Sequence, residues 1–209
     1  LYIVTSQDEP FSAAWIEWKD AVAIGADFYD GDGDGIYTPT DKNGDGKWNS
    51  DEDRPDLIGD ITVWCVYNDG VPRMLRRFTE VGPQGIEIHQ TVFGFASRAT
   101  IGNMLFVRHR LINRGTVADV MDSVYFASAT DGDLGDYNDD LVGSDTLLSA
   151  GYYYNGGPDA QYGVNCPAFM IDFLQGPVSY IPGETFVDDN NNGVFDLGET
   201  ALTNAYNVR

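Results

Sequence analysis

The stretch at 41–52, DKNGDGKWNSDE, sets Asp41, Asp45, Asp51 and Glu52 among asparagine and glycine. Like charge at that density drives a chain apart, so such a segment is either unfolded or wrapped around something positive. Its order favours wrapping. Oxygen-bearing side chains fall at the first, third and fifth positions (Asp41, Asn43, Asp45), glycine at the sixth (Gly46) and a carboxylate at the twelfth (Glu52). Alternate residues of a tight loop point inward, and glycine supplies the left-handed turn that closes the ring.

That spacing is the one by which EF-hand-type loops hold Ca²⁺, the seventh residue adding its backbone carbonyl, here Lys47. Trp48, at the eighth position, is expected to turn into the core. A second loop in the same frame, DDNNNGVFDLGE, gives Asp188, Asn190, Asn192, Gly193, the carbonyl of Val194, and Glu199, with Phe195 in the apolar place. A third lies just upstream of the first. DGDGDGIYTPTD gives Asp30, Asp32, Asp34, Gly35, the carbonyl of Ile36, and Asp41, with Tyr37 in the apolar place. Asp41 would then close one loop and open the next, bridging two ions, or a further group such as Asp27 would join the first ion. Solvated Asp/Gly turns form in β proteins without metal, but they leave unexplained why Glu52 and Glu199 both fall at position twelve. DGDLGDYNDD (131–140) is acidic without that frame. Its Asp131, Asp133, Asp136, Asp139 and Asp140 would make either an irregular cation site or an ordinary polar loop. The chain is thus expected to bind two to four Ca²⁺ ions.

The totals agree. Asp and Glu outnumber Lys and Arg by 33 to 12, a formal charge of −21 in 209 residues. A compact chain with that charge repels itself unless cations neutralise part of it. Nucleic acid is excluded as a partner because no basic patch exists to meet its phosphates, and an anionic membrane surface is disfavoured for the same reason. No apolar run reaches the roughly 20 residues of a membrane span. At 43% hydrophobic and 13% aromatic, the composition is that of a chain with a core, not of a disordered one. Without an initial Met or a signal peptide, the sequence reads as a mature product or a fragment of a longer chain. Cys65 and Cys166 fit no metal or redox spacing; they would form one long-range disulfide or stay as two buried thiols.

Patterning predicts an all-β fold. Residues 1–6, 61–67, 86–95, 103–115, 122–129, 150–155 and 168–176 read as strands. In 86–95, Ile86, Ile88, Gln90 and Val92 alternate with Glu87, His89, Thr91 and Phe93. Trp15, Trp18 and Val22 recur at helical spacing behind Ser12, a candidate N-cap, and predict one short amphipathic helix whose tryptophans pack the core. Short strands with Gly, Asn and Asp between them imply one antiparallel β-sandwich of the jelly-roll or immunoglobulin-like kind over 1–209. Calcium loops at about 27–60 and 186–200 would be inserted in it. Enzyme motifs such as HExxH, GxSxG, a P-loop or CxxCH are missing. His89 and His109 would make a transition-metal pair if they faced each other; half-buried strand positions are the simpler reading.

QTVFGF, GNMLFVRHRLINRG, DLGDYNDDLVGSDT, GYYYN and DFLQGP, spread over about 60–176, together resemble segments of large secreted proteins of Bacteroidota-like bacteria, many of them type IX secretion cargo. The loops, without long flanking helices, resemble those of dockerins and thrombospondin type 3 repeats. The resemblance implies an exported, calcium-rich β-sandwich that forms part of a longer chain. The function expected on this basis is structural or adhesive at the cell surface, with other protein subunits or surface glycans as partners. The alternatives are a carbohydrate-binding module that stacks sugars on Tyr152, Tyr153 and Tyr154 with Trp48 or Trp64, and a glycoside hydrolase using an Asp/Glu pair.

Overall fold

The computed structural model describes residues 1–121, 124–176, 182–183, 186–193 and 199–201. The chain is mostly antiparallel strands with one short α-helix, and it falls into two compact units, Leu1–Ser123 and Val124–Arg209.

In the first unit, β1 (Tyr2–Thr5), β4 (Ile61–Asn68), β5 (Ile86–Gly94) and β6 (Leu105–Asn113) form a four-stranded antiparallel sheet in that order. The short strands β2 (Phe28–Tyr29) and β3 (Arg54–Pro55) pair separately. The helix α1 (Ala13–Ala23) begins after Ser12, as its spacing predicts, but the Ser12 hydroxyl makes no cap bond and is buried without a partner. Cross-strand pairing of Val4 with Thr62, Trp64 with Thr91 and Val66 with His89 puts these side chains on one face of the sheet. Against that face pack Trp18 and Ala21 of α1, with Ala26 and Tyr37 completing the buried cluster. Removing each large side chain from water stabilises the fold by roughly 1.5–3 kcal/mol. The Trp18 indole N–H donates to the Asp27 carbonyl at 3.1 Å, so its polar atom is satisfied as well. The tryptophans of the helix are core residues, as expected.

Ile3, Val63, Ile88, Val92 and Val107 alternate onto the opposite face, which is also apolar. His89 and His109 do not face each other. His89 stands opposite Arg110 and His109 opposite Gln90, on different faces of the sheet. The β4–β5 connection, residues 69–85, is a long loop. Its ends are tied by Asp69, whose carboxylate accepts from the backbone N–H of Gly85 and Ile86 at 3.1 and 3.0 Å.

Near the start of β5 Glu87 accepts hydrogen bonds from Arg114 and His89. These two hydrogen bonds, that from the Arg114 guanidinium first, hold the Glu87 carboxyl at about 2, against an ordinary 4.5. A carboxyl depressed on folding contributes stability that is complete above about pH 4.5 and is lost as pH falls toward 2. Arg114→Ala is therefore expected to raise the Glu87 titration midpoint, read by carboxyl ¹³C shifts, and to make the fold more acid-sensitive in that window.

In the second unit β7 (Asp140–Asp145), β8 (Ala150–Asn155) and β9 (Phe169–Asp172) form a three-stranded sheet, and β10 (Phe186–Val187) pairs with β11 (Thr200–Ala201). The strand expected at 122–129 does not form over its described part, 124–129, where Tyr125 is 92% exposed. Among the described residues no strand pairs with it. Cys65 and Cys166 are both free thiols.

Candidate metal centre

The loop that follows β2 and the loop that precedes β3 are built on one hydrogen-bond scheme. In the first, the Asp30 carboxylate accepts from the N–H of Gly33 at 2.8 Å and of Gly35 at 2.9 Å, and Asp34 accepts from Ile36 at 2.7 Å. In the second, Asp41 accepts from Gly44 at 2.6 Å and Gly46 at 2.8 Å, and Asp45 accepts from Lys47 at 2.8 Å. The sixth-position glycine has φ of 74° at Gly35 and 72° at Gly46, a left-handed conformation that a side chain would strain.

The closing carboxylate shows the scheme most clearly. Glu52 accepts from the second residue of its loop, Lys42, through Oε1 at 2.7 Å and from the ninth, Asn49, through Oε2 at 2.8 Å. In the upstream loop the same two places are Gly31 and Thr38. Both donate to Asp53, at 3.0 Å to Oδ1 and 2.7 Å to Oδ2. Asp53, not Asp41 or Asp27, thus closes the first loop. The reason is strand pairing: Tyr29 stands opposite Arg54, so the next step of the ribbon carries Asp30 toward Asp53. Asp41 bonds within its own loop, and Asp27 pairs instead with Arg108 and Arg110.

Adjacent residues therefore close adjacent loops. Glu52 is 1% exposed and Asp53 2%. Two neighbouring buried carboxylates are costly unless positive charge or several donors compensate them. Asp30, Asp32 and Asp53 each bring a carboxylate oxygen to within 4.8 Å of the others, a grouping that could hold a metal ion. Lys42 supplies part of the compensation. Its ammonium donates to Asp32 at 2.9 Å, lowering the Asp32 carboxyl while its own affinity for the proton rises.

Of the two apolar eighth positions in these loops, Tyr37 enters the core, whereas Trp48 is half-buried and lies outside the core cluster. Tyr37 is buried, and its hydroxyl donates to the Trp15 carbonyl at 2.9 Å. Trp48 donates through its indole N–H to the Glu52 carbonyl at 2.9 Å and packs edge-on against Tyr29, with the Arg54 guanidinium over both rings. The two loops meet main chain to main chain at Gly31, where a Cβ would lie 2.4 Å from the backbone N and O of Glu52. Gly31→Ala is accordingly expected to cost about 1–3 kcal/mol, the range for forcing an atom into a filled site. Denaturant unfolding at fixed calcium measures it.

The loop at 188–199 repeats the scheme where it is described. Gly193 donates to Asp188 at 2.8 Å, and Asn192 donates to both Asp188 and Asn190 at 3.1 and 3.0 Å. Asp189, its second residue, donates to Glu199 at 3.0 Å. Val194, Phe195 and Asp196 lie outside the described residues.

The acidic stretch 131–140 is organised differently. Asp159, a buried residue not singled out in the sequence, accepts from the N–H of Asp136, Gln161 and Tyr162 at 2.6–2.8 Å. Those donors hold its carboxyl below the usual range. Asp140 accepts from Leu134, and Asp139 from Asn155. Burial, then the neighbouring charges of Asp159, Asp136 and Asp140, push Asp139 up. Among the described residues, Asp131, Asp133, Asp136, Asp139 and Asp140 do not converge as a three-ligand group.

The proposed stacking aromatics separate. Trp64 is in the core. Tyr153 lies on the opposite face of β8 from its neighbours, its hydroxyl donating to the Thr130 carbonyl at 2.6 Å. Tyr152 and Tyr154 share a face, partly exposed, with ring centroids 5.8 Å apart. Set against protein-family models, curated proteins and solved structures, the chain gives no match.

Proposed function

We propose that residues 30–53 form a two-ion Ca²⁺ unit, that 188–199 form a third site, and that the protein is an extracellular, calcium-stabilised structural or adhesive component of a cell surface. The observation that carries this reading is the repeated closure: in each loop a carboxylate from the far end accepts from the second N–H. Asp30, Asp32 and Asp53 would hold the first ion with Asp34 and the carbonyl of Ile36. Asp41, Asn43, Asp45, Glu52 and the carbonyl of Lys47 would hold the second. Asp188, Asn190, Asn192, Glu199 and the carbonyl of Val194 would hold the third. The ions neutralise part of the −21 charge and fix loops that otherwise oppose compaction. Nothing in the scheme places a nucleophile or a general acid, so the chemistry it supports is structural.

The second apolar face of the four-stranded sheet supports a sandwich architecture, in which two sheets pack together through apolar faces. Export and membership of a larger secreted assembly fit cages of this type, since extracellular modules bind Ca²⁺ at about 10⁻⁴–10⁻³ M. The direct test is luminescence of Tb³⁺, a Ca²⁺ substitute, sensitised by Trp48 at the second loop. A sensitised signal displaced by Ca²⁺ supports the reading, and the absence of any signal at saturating Tb³⁺ contradicts it.

The Tyr152–Tyr154 pair favours a second reading, glycan binding on β8. A glycan array in which Tyr152→Ala abolishes a signal would establish it, and an array with no signal removes it.

A further inference from the structure

His89 is 5% exposed, and each of its ring nitrogens meets an oxygen that can only accept. Nδ1 lies 3.0 Å from the backbone carbonyl of Gly25, and Nε2 lies 2.8 Å from Oε1 of Glu87. A neutral imidazole carries one N–H, which would leave the other nitrogen's lone pair against an oxygen lone pair. Only the imidazolium, with two N–H groups, satisfies both contacts.

We propose that His89 is a proton-dependent latch: held as the imidazolium, it ties the end of α1 to the sheet through Gly25 and Glu87, and loss of one proton frees the helix end. The surroundings are arranged for it. Gly25 follows the last turn of the 11-residue α1, where unpaired carbonyls favour a cation. The N–H groups of Ile24 and Ala26 bond to the Ala21 carbonyl, and that of Gly25 to Val22, so this segment terminates the helix. Gly25 has φ of 106°, and a Cβ there would lie 2.3 Å from Cε1 of His89, so the ring rests directly on the backbone. From β4, Trp64 meets the ring edge-on at 5.5 Å. From β5, Glu87 supplies the negative charge, which it shares with Arg114 beyond β6. From β6, Arg110 stands opposite His89, and its charge and that of Arg108 are drawn off by Asp27 and Asp56. A cavity of about 560 Å³ opens beside the latch, lined by Ala23, Ile24, Gly25, Val66, Tyr67 and Glu87 among others, so water can reach the joint.

The test uses the full chain at saturating calcium, which keeps the acidic loops constant. Long-range ¹H–¹⁵N NMR is expected to show both His89 nitrogens protonated at pH 7, and a neutral tautomer at that pH overturns the proposal. As the ring loses its proton, hydrogen exchange at Gly25 and Ala26, corrected for its intrinsic pH dependence, is expected to quicken about tenfold, the factor one charge-assisted bond supplies. Protection that is unchanged through the His89 titration also overturns it. Glu87→Gln keeps the shape and removes the charge. It should lower the pH of that titration by about one unit, equivalent to tenfold in the proton equilibrium; an unmoved titration in a folded variant counts against the latch. Should that variant not fold, the wild-type spectrum alone decides.

Discussion

Excess EDTA is expected to lower the thermal midpoint of the first unit by about 15–20 °C relative to 10 mM Ca²⁺. The magnitude follows from linkage. An ion at about 100 times its dissociation constant stabilises the state that binds it by about 2.7 kcal/mol, so two ions give about 5 kcal/mol. For a domain of this size each kcal/mol moves the midpoint by roughly 4 °C. The physical source is the pair of buried carboxylates, Glu52 and Asp53, which without a cation are compensated by backbone N–H groups, the Asn49 side-chain amide and Lys42 nearby. Circular dichroism melts with and without chelator measure it. A shift below about 2 °C would mean that hydrogen bonds alone sustain the loops.

The second large effect separates the two loops. Asp53→Asn is expected to weaken one Ca²⁺ site about 100-fold, because affinity in such cages follows the number of charged ligands, while the other site is retained. Asp41→Asn should do the converse, since the Asp41 carboxylate bonds only within its own loop. Two-site calorimetric titrations of both variants read this directly. Loss of both ions in Asp41→Asn would restore Asp41 as a bridge between the loops. Two intact sites in Asp53→Asn would remove Asp53 from the cage. The variant also leaves one of the Gly31 and Thr38 N–H groups facing an amide nitrogen, which costs a further 1–3 kcal/mol or so.

Local chemistry was largely legible in the sequence, and pairing was not. Helix α1, the strands of the four-stranded sheet and the burial of Tyr37 follow from period and position, which act over a few residues. The alternation in 86–95 sorts those residues onto the two faces that the register confirms. Asp53 escaped the reading because its partner Gly31 is 22 residues away and only the β2–β3 ribbon, two residues per strand, joins them. A signal was present all the same: Glu52 and Asp53 are consecutive acids, and a single loop uses one. The separation of His89 from His109 depends likewise on register, since a shift of one residue exchanges the faces. The segment 124–129 shows the opposite failure. Val124, Tyr125 and Phe126 have β propensity, which becomes a strand only where a neighbouring ladder offers hydrogen bonds.

Calcium-coupled folding is tested most directly by anomalous scattering from crystals of the full chain grown in Ca²⁺. Two peaks are predicted in the first unit. One lies among the carboxylates of Asp30, Asp32 and Asp53, and the other among Asp41, Asn43, Asp45 and Glu52. Well-ordered loops with no anomalous peak at either place would contradict it.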